Sequence, residues 1–200
     1  LYDRFVNQGA VMGDSFGLEN VLWFANNKED AHEEPTIKRS RSHDYVSKEV
    51  INVRENVGLI EVANFSKHEF KGPDARKFLD HIMAGRLPKP GRISLSPMLS
   101  YRGKLCGDLT VACLDENEFM VFGSGAAQEM HRRWFESHLD KFNLSYSNRS
   151  DEYHGLSIAG PNSRKVLEKI ARDDVSNDKF KFRDSRRMFV GGVPAIINRI

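Results

Sequence analysis

The sequence predicts an antiparallel α+β fold assembled from two related units. Three observations predict it: an internal repeat, the order of strand-like and helix-like segments, and an ordinary globular composition. The repeat carries most. Lys71-Gly72-Pro73-Asp74-Ala75-Arg76-Lys77-Phe78-Leu79-Asp80-His81-Ile82 returns 88 positions later as Ala159-Gly160-Pro161-Asn162-Ser163-Arg164-Lys165-Val166-Leu167-Glu168-Lys169-Ile170, with Gly, Pro, Arg, Lys, Leu and Ile in register. Each copy follows a short β-rich run, Phe65 to Phe70 and Leu156 to Ala159. The Gly releases the backbone, and the Pro occupies a first helical turn, where no N–H donor is required. Apolar residues then fall on one helical stripe: Phe78, Leu79, Ile82 and Met83 in the first copy, Val166, Leu167 and Ile170 in the second.

The elements follow in order. Tyr45, Val46, Val50, Val53 and Val57 recur at near-helical spacing, which predicts a helix from Asp44 to about Asn56. Gly58 to Ala63 and Phe65 to Phe70 read as strands. Pro73 to Ala84 is a helix, stopped by Gly85 and the Pro88-Lys89-Pro90-Gly91 punctuation. Ile93 to Leu99 and Leu109 to Leu114 are strands joined through Ser100 to Lys104, and Phe119 to Phe122 follows the polar turn Asp115 to Glu118. Gly125 to Phe142 reads as one helix, with Met130, Trp134, Leu139 and Phe142 on its apolar side. Strand, helix, hairpin, strand, helix is not the order of a doubly wound parallel sheet.

Composition excludes several function classes. A chain of 200 residues buries roughly 70% of its unfolded surface, enough for one large or two small domains. Charged residues make up 29% and hydrophobic ones 40%, with a net charge of +2. The basic runs Lys38 to Arg41 and Arg183 to Arg187 have no aromatic interleaving or basic helix beside them, so they read as solvated loops and no nucleic-acid partner is expected. No apolar run approaches the ~18 residues of a membrane-spanning helix, and no signal peptide is evident. Cys106 and Cys113, on a predicted turn and strand, suit neither a zinc site nor a disulfide framework, which favours a reducing compartment. Leu1 is not a start residue, and Ala195 to Ile200 alternates like a strand without a turn signal, so a longer polypeptide is expected.

Catalytic constellations are few. Gly123-Ser124-Gly125 lacks the phosphate-loop pattern, no nucleophile elbow occurs, and the seven histidines show no metal spacing, so no metal is expected. His131 and His138 read as partly exposed helix residues. One carboxylate stands apart: Asp108, next to Gly107 at the head of the apolar run Leu109-Thr110-Val111. It either caps a turn, or it sits desolvated at a sheet edge, with its pKa raised and able to exchange a proton with a bound amine near neutral pH.

Met98 to Val111, with Glu118 to Ser124 after it, resembles the tetrahydrofolate-binding core of the glycine cleavage T-protein (aminomethyltransferase) family. More narrowly, it resembles the folate half of the dimethylglycine and sarcosine dehydrogenases. Gly17-Leu18-Glu19-Asn20-Val21-Leu22-Trp23-Phe24 is similar to the segment that enters that half, and the strand from Gly58, Phe65-x-Lys67 and Asp108-Leu109-Thr110-Val111 match that branch. The resemblance runs over nearly the whole chain. It implies two related antiparallel α/β units with the C-terminal part missing: a first unit of residues 1–66 plus 153–200, and a second, 67–152, inserted into it. Position by position, it makes Asp108 the catalytic aspartate. Phe65, Leu95, Asp108, Thr110, Phe122 and Ser124 would line the folate. The chain departs from T-proteins at Leu95 (Tyr), Gly107 (an acid), Ala63-Asn64 (Ser-His) and Ser124 (Asn), leaving Asp108 as the lone acid.

The implied activity is one-carbon transfer to tetrahydrofolate, giving 5,10-methylenetetrahydrofolate. The carbon would come from a small N-methyl amine oxidised by an FAD-containing flavin domain of the same longer chain. A stand-alone aminomethyltransferase of the glycine cleavage system, a folate-dependent demethylase and a non-catalytic folate-binding regulatory protein remain open. The expected location is cytoplasmic, or the mitochondrial matrix in a eukaryote.

Overall fold

The computed structural model describes residues 2–15 and 17–200, with the backbone alone at position 18. The chain opens with helix α1 (Tyr2–Asn7), strands β1 (Ala10–Ser15) and β2 (Leu18–Phe24), helix α2 (Ser42–Glu55) and strand β3 (Gly58–Glu61). Strand β4 (Ser66–Lys71), helix α3 (Ala75–Ile82), strands β5 (Arg92–Leu99), β6 (Leu105–Asp115) and β7 (Glu118–Gly123), helix α4 (Gln128–Glu136) and strand β8 (Ser145–Asn148) follow. Strand β9 (Leu156–Ala159), helix α5 (Ser163–Ile170) and the strands β10 (Ser185–Val190) and β11 (Val193–Asn198) complete it. Two compact units form, 1–59 with 158–163 and 60–157 with 164–200.

In the smaller unit, β1 and β2 form an antiparallel ribbon against which α2 packs. Its core is Val11, Trp23 and Ala25, with Tyr45 and Val46 against them. Trp23 lies 5.0 Å from the Tyr45 ring and donates its indole N–H to Glu33, while the Tyr45 hydroxyl donates to Asp30 at 2.6 Å. The Trp-Phe segment is therefore structural here.

In the larger unit, an antiparallel sheet of order β5-β6-β7-β4-β8 forms the frame. Side chains alternate between its faces. Phe70, Leu109, Val111, Phe119, Val121 and Met98 point to one face, where Phe78, Leu79 and Ile82 of α3 and Phe135 of α4 close the core. Each of these large side chains, fully buried, contributes about 1.5–3 kcal/mol. The β10–β11 hairpin joins the β5 edge, through the Arg92–Asp184 bridge and the Ile93 N–H to Arg183 carbonyl bond of 2.9 Å.

The two repeat copies fold alike. Gly72 and Gly160 have φ of +136° and +114°, and their carbonyls accept the N–H of Ala75 and Ser163 at 3.0 Å. The eight-residue helices α3 and α5 follow, and each is succeeded by a bridge, Met83 to Met98 and Ala171 to Val190. The copies differ in burial: the α3 stripe is buried, whereas Val166 and Leu167 are half-buried and Ile170 is 44% exposed. Only the short β10–β11 hairpin, rather than a five-stranded sheet, stands beneath α5.

Other boundaries differ from the sequence reading. The helix expected over 125–142 is a 3₁₀ turn (Gly125–Ala127), α4, and a second 3₁₀ turn (Leu139–Lys141). It breaks where the Ser137 hydroxyl and the His138 ring both bond the Trp134 carbonyl, diverting that acceptor from the helical ladder. Strand β6 begins at Leu105, four residues before the expected start, because β5 pairs with it back to that point. Cys106 and Cys113 therefore share one strand, and both are free thiols. No described helix is long and apolar enough to cross a membrane.

A side chain at Gly72 would meet the Leu144 Cα at 2.8 Å and the Asn143 carbonyl at 2.9 Å, in a backbone region that L-residues avoid. Gly72→Ala is expected to destabilise the larger unit by about 2 kcal/mol or more, read as a lowered urea midpoint.

Candidate functional site

The sheet face opposite α3 and α4 is organised in cross-strand rows. Ile93, Ala112, Met120 and Glu69 form one row, all buried, with Tyr153 and Ile196 packed on its apolar members. The next row is Leu95, Thr110, Phe122 and Lys67. Beyond it Pro97 and Asp108 form a pair, and Ser124 and Phe65 are the residues just after β7 and just before β4. Leu95, Asp108, Thr110 and Phe122 thus share one sheet face, while Phe65 and Ser124 flank it, one residue before β4 and one after β7.

The face opens toward these rows. Leu95 is 65% and Phe65 49% exposed, Thr110 and Phe122 are half-buried, and Asp108 and Ser124 are exposed. Two aromatic rings, one aliphatic side chain and two hydroxyls accompany one carboxylate. Among the described residues the Asp108 carboxylate has no hydrogen bond or ion pair. It lies within β6, opposite Pro97, and does not cap a turn. The desolvation that the sequence reading attached to it is not met, because its side chain stands in solvent.

Gly107, next to Asp108, faces the other side of the sheet. Its face is the core face, where a Cβ would lie 3.1 Å from the His131 Nε2 and 3.1 Å from the Met98 Cε. A Cβ on Gly123 would likewise meet the Leu109 Cδ2 at 2.6 Å and the His131 ring at 3.1 Å. The His131 ring thus occupies a notch made by two glycines, each the immediate neighbour of a site residue. It is 2% exposed, not the partly exposed helix residue expected, and its Nε2–H donates to the Cys106 carbonyl at 3.2 Å. The notch is legible only once β6 and β7 are placed side by side.

His68 lies beside it, with ring centroids 6.4 Å apart, and bonds the Tyr146 hydroxyl at 2.9 Å through Nδ1. Burial, aided by the neighbouring His131, lowers its pKa from 6.5 to about 4. His138, by contrast, is half-buried as read, and bonds Tyr101 at 2.6 Å.

Sequence reasoning gave Lys67 no role. It is 4% exposed and sits beside Phe122, with its Nζ donating to the carbonyls of Ala63 and Phe65 at 2.7 Å each. Burial lowers its ammonium pKa below the ordinary lysine value, against the pull of Glu61 and Asp151. The only signal in the sequence was a lysine two residues after Phe65. The described residues include no cluster of three metal-ligating side chains. Two open surface hollows, at Lys71 with Asp115 to Glu118 and at Pro73 to Leu87, lie away from the two rows.

The fold is that of an aminomethyltransferase: the crystal structure of glycine cleavage system aminomethyltransferase T from Bartonella henselae aligns over 92% of this chain and 45% of its own, with a TM-score of 0.75 and 20% identity. Heterotetrameric sarcosine oxidase from Corynebacterium sp. U-96 aligns over 82% of each chain, with a TM-score of 0.57 and 18% identity. The family model of the GCVT N-terminal domain matches residues 1–200, and the chain belongs to that family. Mitochondrial dimethylglycine dehydrogenase of Mus musculus is 33% identical over 192 residues, covering 94% of this chain and 22% of that protein. Aminomethyltransferase of Thermotoga sp. (strain RQ2) is 25% identical over 201 residues, covering 50% of its length. The chain spans under a quarter of the length of the dehydrogenase and half that of the transferase.

A lowered histidine value means that the unfolded chain takes up a proton the native state refuses. The stabilisation from neutral His68 is therefore complete above pH 6.5 and is lost as pH falls toward 4. Between pH 7 and 4.5 this single group is expected to remove about 2–3 kcal/mol. Urea midpoints at both pH values check it: His68→Gln should show an acid loss smaller than the parent's by at least ~1 kcal/mol.

Proposed function

We propose that this chain is the tetrahydrofolate-binding part of an N-methyl amine dehydrogenase of the dimethylglycine or sarcosine type. One observation carries the reading: Leu95, Asp108, Thr110 and Phe122 lie on one sheet face, with Phe65 and Ser124 at the adjoining ends of β4 and β7 and a single unpaired carboxylate among them. A flat reduced pterin fits that chemistry, since its rings want apolar contact and its amines a hydrogen-bond acceptor. The higher identity to dimethylglycine dehydrogenase than to aminomethyltransferase supports the dehydrogenase branch.

In this reading Phe65, Leu95 and Phe122 hold the pterin, and Thr110 and Ser124 orient its polar edge. Asp108 accepts the proton that a folate nitrogen releases as it bonds to the one-carbon unit. FAD, in another part of the longer chain, supplies the two-electron oxidation of the amine. Holding the acceptor in place makes capture of the carbon effectively unimolecular and keeps formaldehyde from escaping. Asp108 is exposed in this chain alone, so the water exclusion that favours proton transfer falls to the bound pterin and to the rest of the protein.

The same reading divides the chain into residues 1–66 with 153–200, and an inserted unit, 67–152. Its support is that the sheet β5-β6-β7-β4-β8 is built wholly from 66–148, while β9, α5 and the β10–β11 hairpin repeat the order of β4, α3 and the β5–β6 hairpin. Of the two expected locations, the mouse relative's mitochondrial name supports the mitochondrial one.

Calorimetry of the full-length protein with ~1 mM tetrahydrofolate tests binding, and absence of heat refutes it. Asp108→Asn is expected to keep folate affinity within about tenfold and to slow methylenetetrahydrofolate formation by roughly 10² or more, with free formaldehyde rising in its place. Formation at the parental rate would rule out proton transfer by Asp108.

A further inference from the structure

We propose that Lys67 is a positioning residue for this face, holding the turn 61–65 as a rigid wall so that Phe65 stands ready over the ligand. The proposal rests on the folate reading for the identity of the ligand, but the clamp itself stands on geometry.

The turn is fixed from several sides. Its Ala63 and Phe65 carbonyls accept hydrogen bonds from the Lys67 Nζ at 2.7 Å each, and the Ala63 N–H donates to the Glu61 carboxylate. The Val62 N–H donates to the Gly155 carbonyl at 2.8 Å. The Asn64 carbonyl lies so close to Gly125 that a Cβ there would be 2.0 Å from it, which places the turn against the residue after Ser124. Lys67 ties this turn to β4, beside Phe122, and Phe65 is left 49% exposed at its end.

The choice of lysine is informative because it is a poor choice for stability. The residue is 4% exposed, yet among the described residues no carboxylate lies within ion-pair distance of its ammonium: Glu61 and Asp151 attract it only from farther off, and two carbonyls are its hydrogen-bond acceptors. Burial of a charge without a contacting counter-ion opposes folding, and here desolvation outweighs the distant carboxylates. The same face shows the ordinary solution two residues on, where buried Glu69 meets Lys71 at 2.9 Å and Arg149 at 3.4 Å. A methionine at 67 would fill similar volume with no charge to desolvate. A group that opposes folding while fixing a binding wall is the pattern of residues kept for function.

The test compares full-length parent, Lys67→Met and Lys67→Gln, the last keeping two N–H donors without the charge. Lys67→Met is expected to keep or raise the thermal midpoint, to speed hydrogen exchange at residues 61–65 at least tenfold, and to weaken tetrahydrofolate binding about tenfold or more. Lys67→Gln is expected to fall between parent and Lys67→Met, and carries the comparison if Lys67→Met aggregates. A lowered midpoint with affinity unchanged within threefold would overturn the proposal, since Lys67 would then serve folding alone. Unchanged exchange at 61–65 would overturn the clamp. If the parent itself gives no heat with tetrahydrofolate, the folate reading fails instead, and exchange alone judges the clamp.

Discussion

The register of β6 between β5 and β7 governs the rest of the larger unit. Side chains along a strand alternate with a period of two, so Leu109, Val111 and Cys113 enter the core only if Asp108, Thr110 and Ala112 leave it. A slip of one residue would bury a carboxylate and a hydroxyl and turn three core side chains to the outer face. The core term is much larger than any preference at the candidate site, so packing on α3 and α4 dictates which face Asp108 occupies. Irregularities at Met98/Leu99 and Cys113/Asp115 bound the strand, and the His131 ring packs closely against Gly107 and Gly123, where a Cβ would lie 3.1 Å from it.

Two kinds of polar group then coexist around one sheet. On the outer face, Lys71 bonds Glu69 and Glu118, and Glu118 also meets Arg187 at 2.5 Å. With the basic partners half-exposed, such pairs contribute little beyond orientation. On the inner face, His68 Nε2 and His131 Nδ1 are buried without hydrogen-bond partners among the described residues. Their neutrality is what makes that burial tolerable, and it ties the core beneath the candidate site to pH.

The site was legible in part. Asp108 stood out because an acid at the head of an apolar strand violates the local pattern, and a violated pattern is where function tends to sit. Leu95, Thr110, Phe122, Ser124 and Phe65 were reached through family resemblance, since alternation alone says only that they share a face with something. Lys67 was invisible, because a lysine in a strand reads as an exposed edge residue until the turn that folds over its ammonium is known. His131 was misread for a related reason: helical spacing locates a face, but the glycines that receive the ring come from strands 24 and 8 residues earlier.

By itself the sequence determined the class of the fold, the repeated strand-Gly-Pro-helix corner, the α3 stripe and the existence of β5 to β7, because each rests on local periodicity and backbone restriction that act within about a dozen residues. Only the tertiary structure decided where α4 ends, how far β6 extends toward Leu105, that Asp108 stands in solvent, and that Lys67 is buried. Each of these depends on partners distant in sequence or on backbone carbonyls brought round by a turn. Local pattern can state that a residue leaves the core, but what it meets on the other side is set by the pairing of strands and the closure of loops.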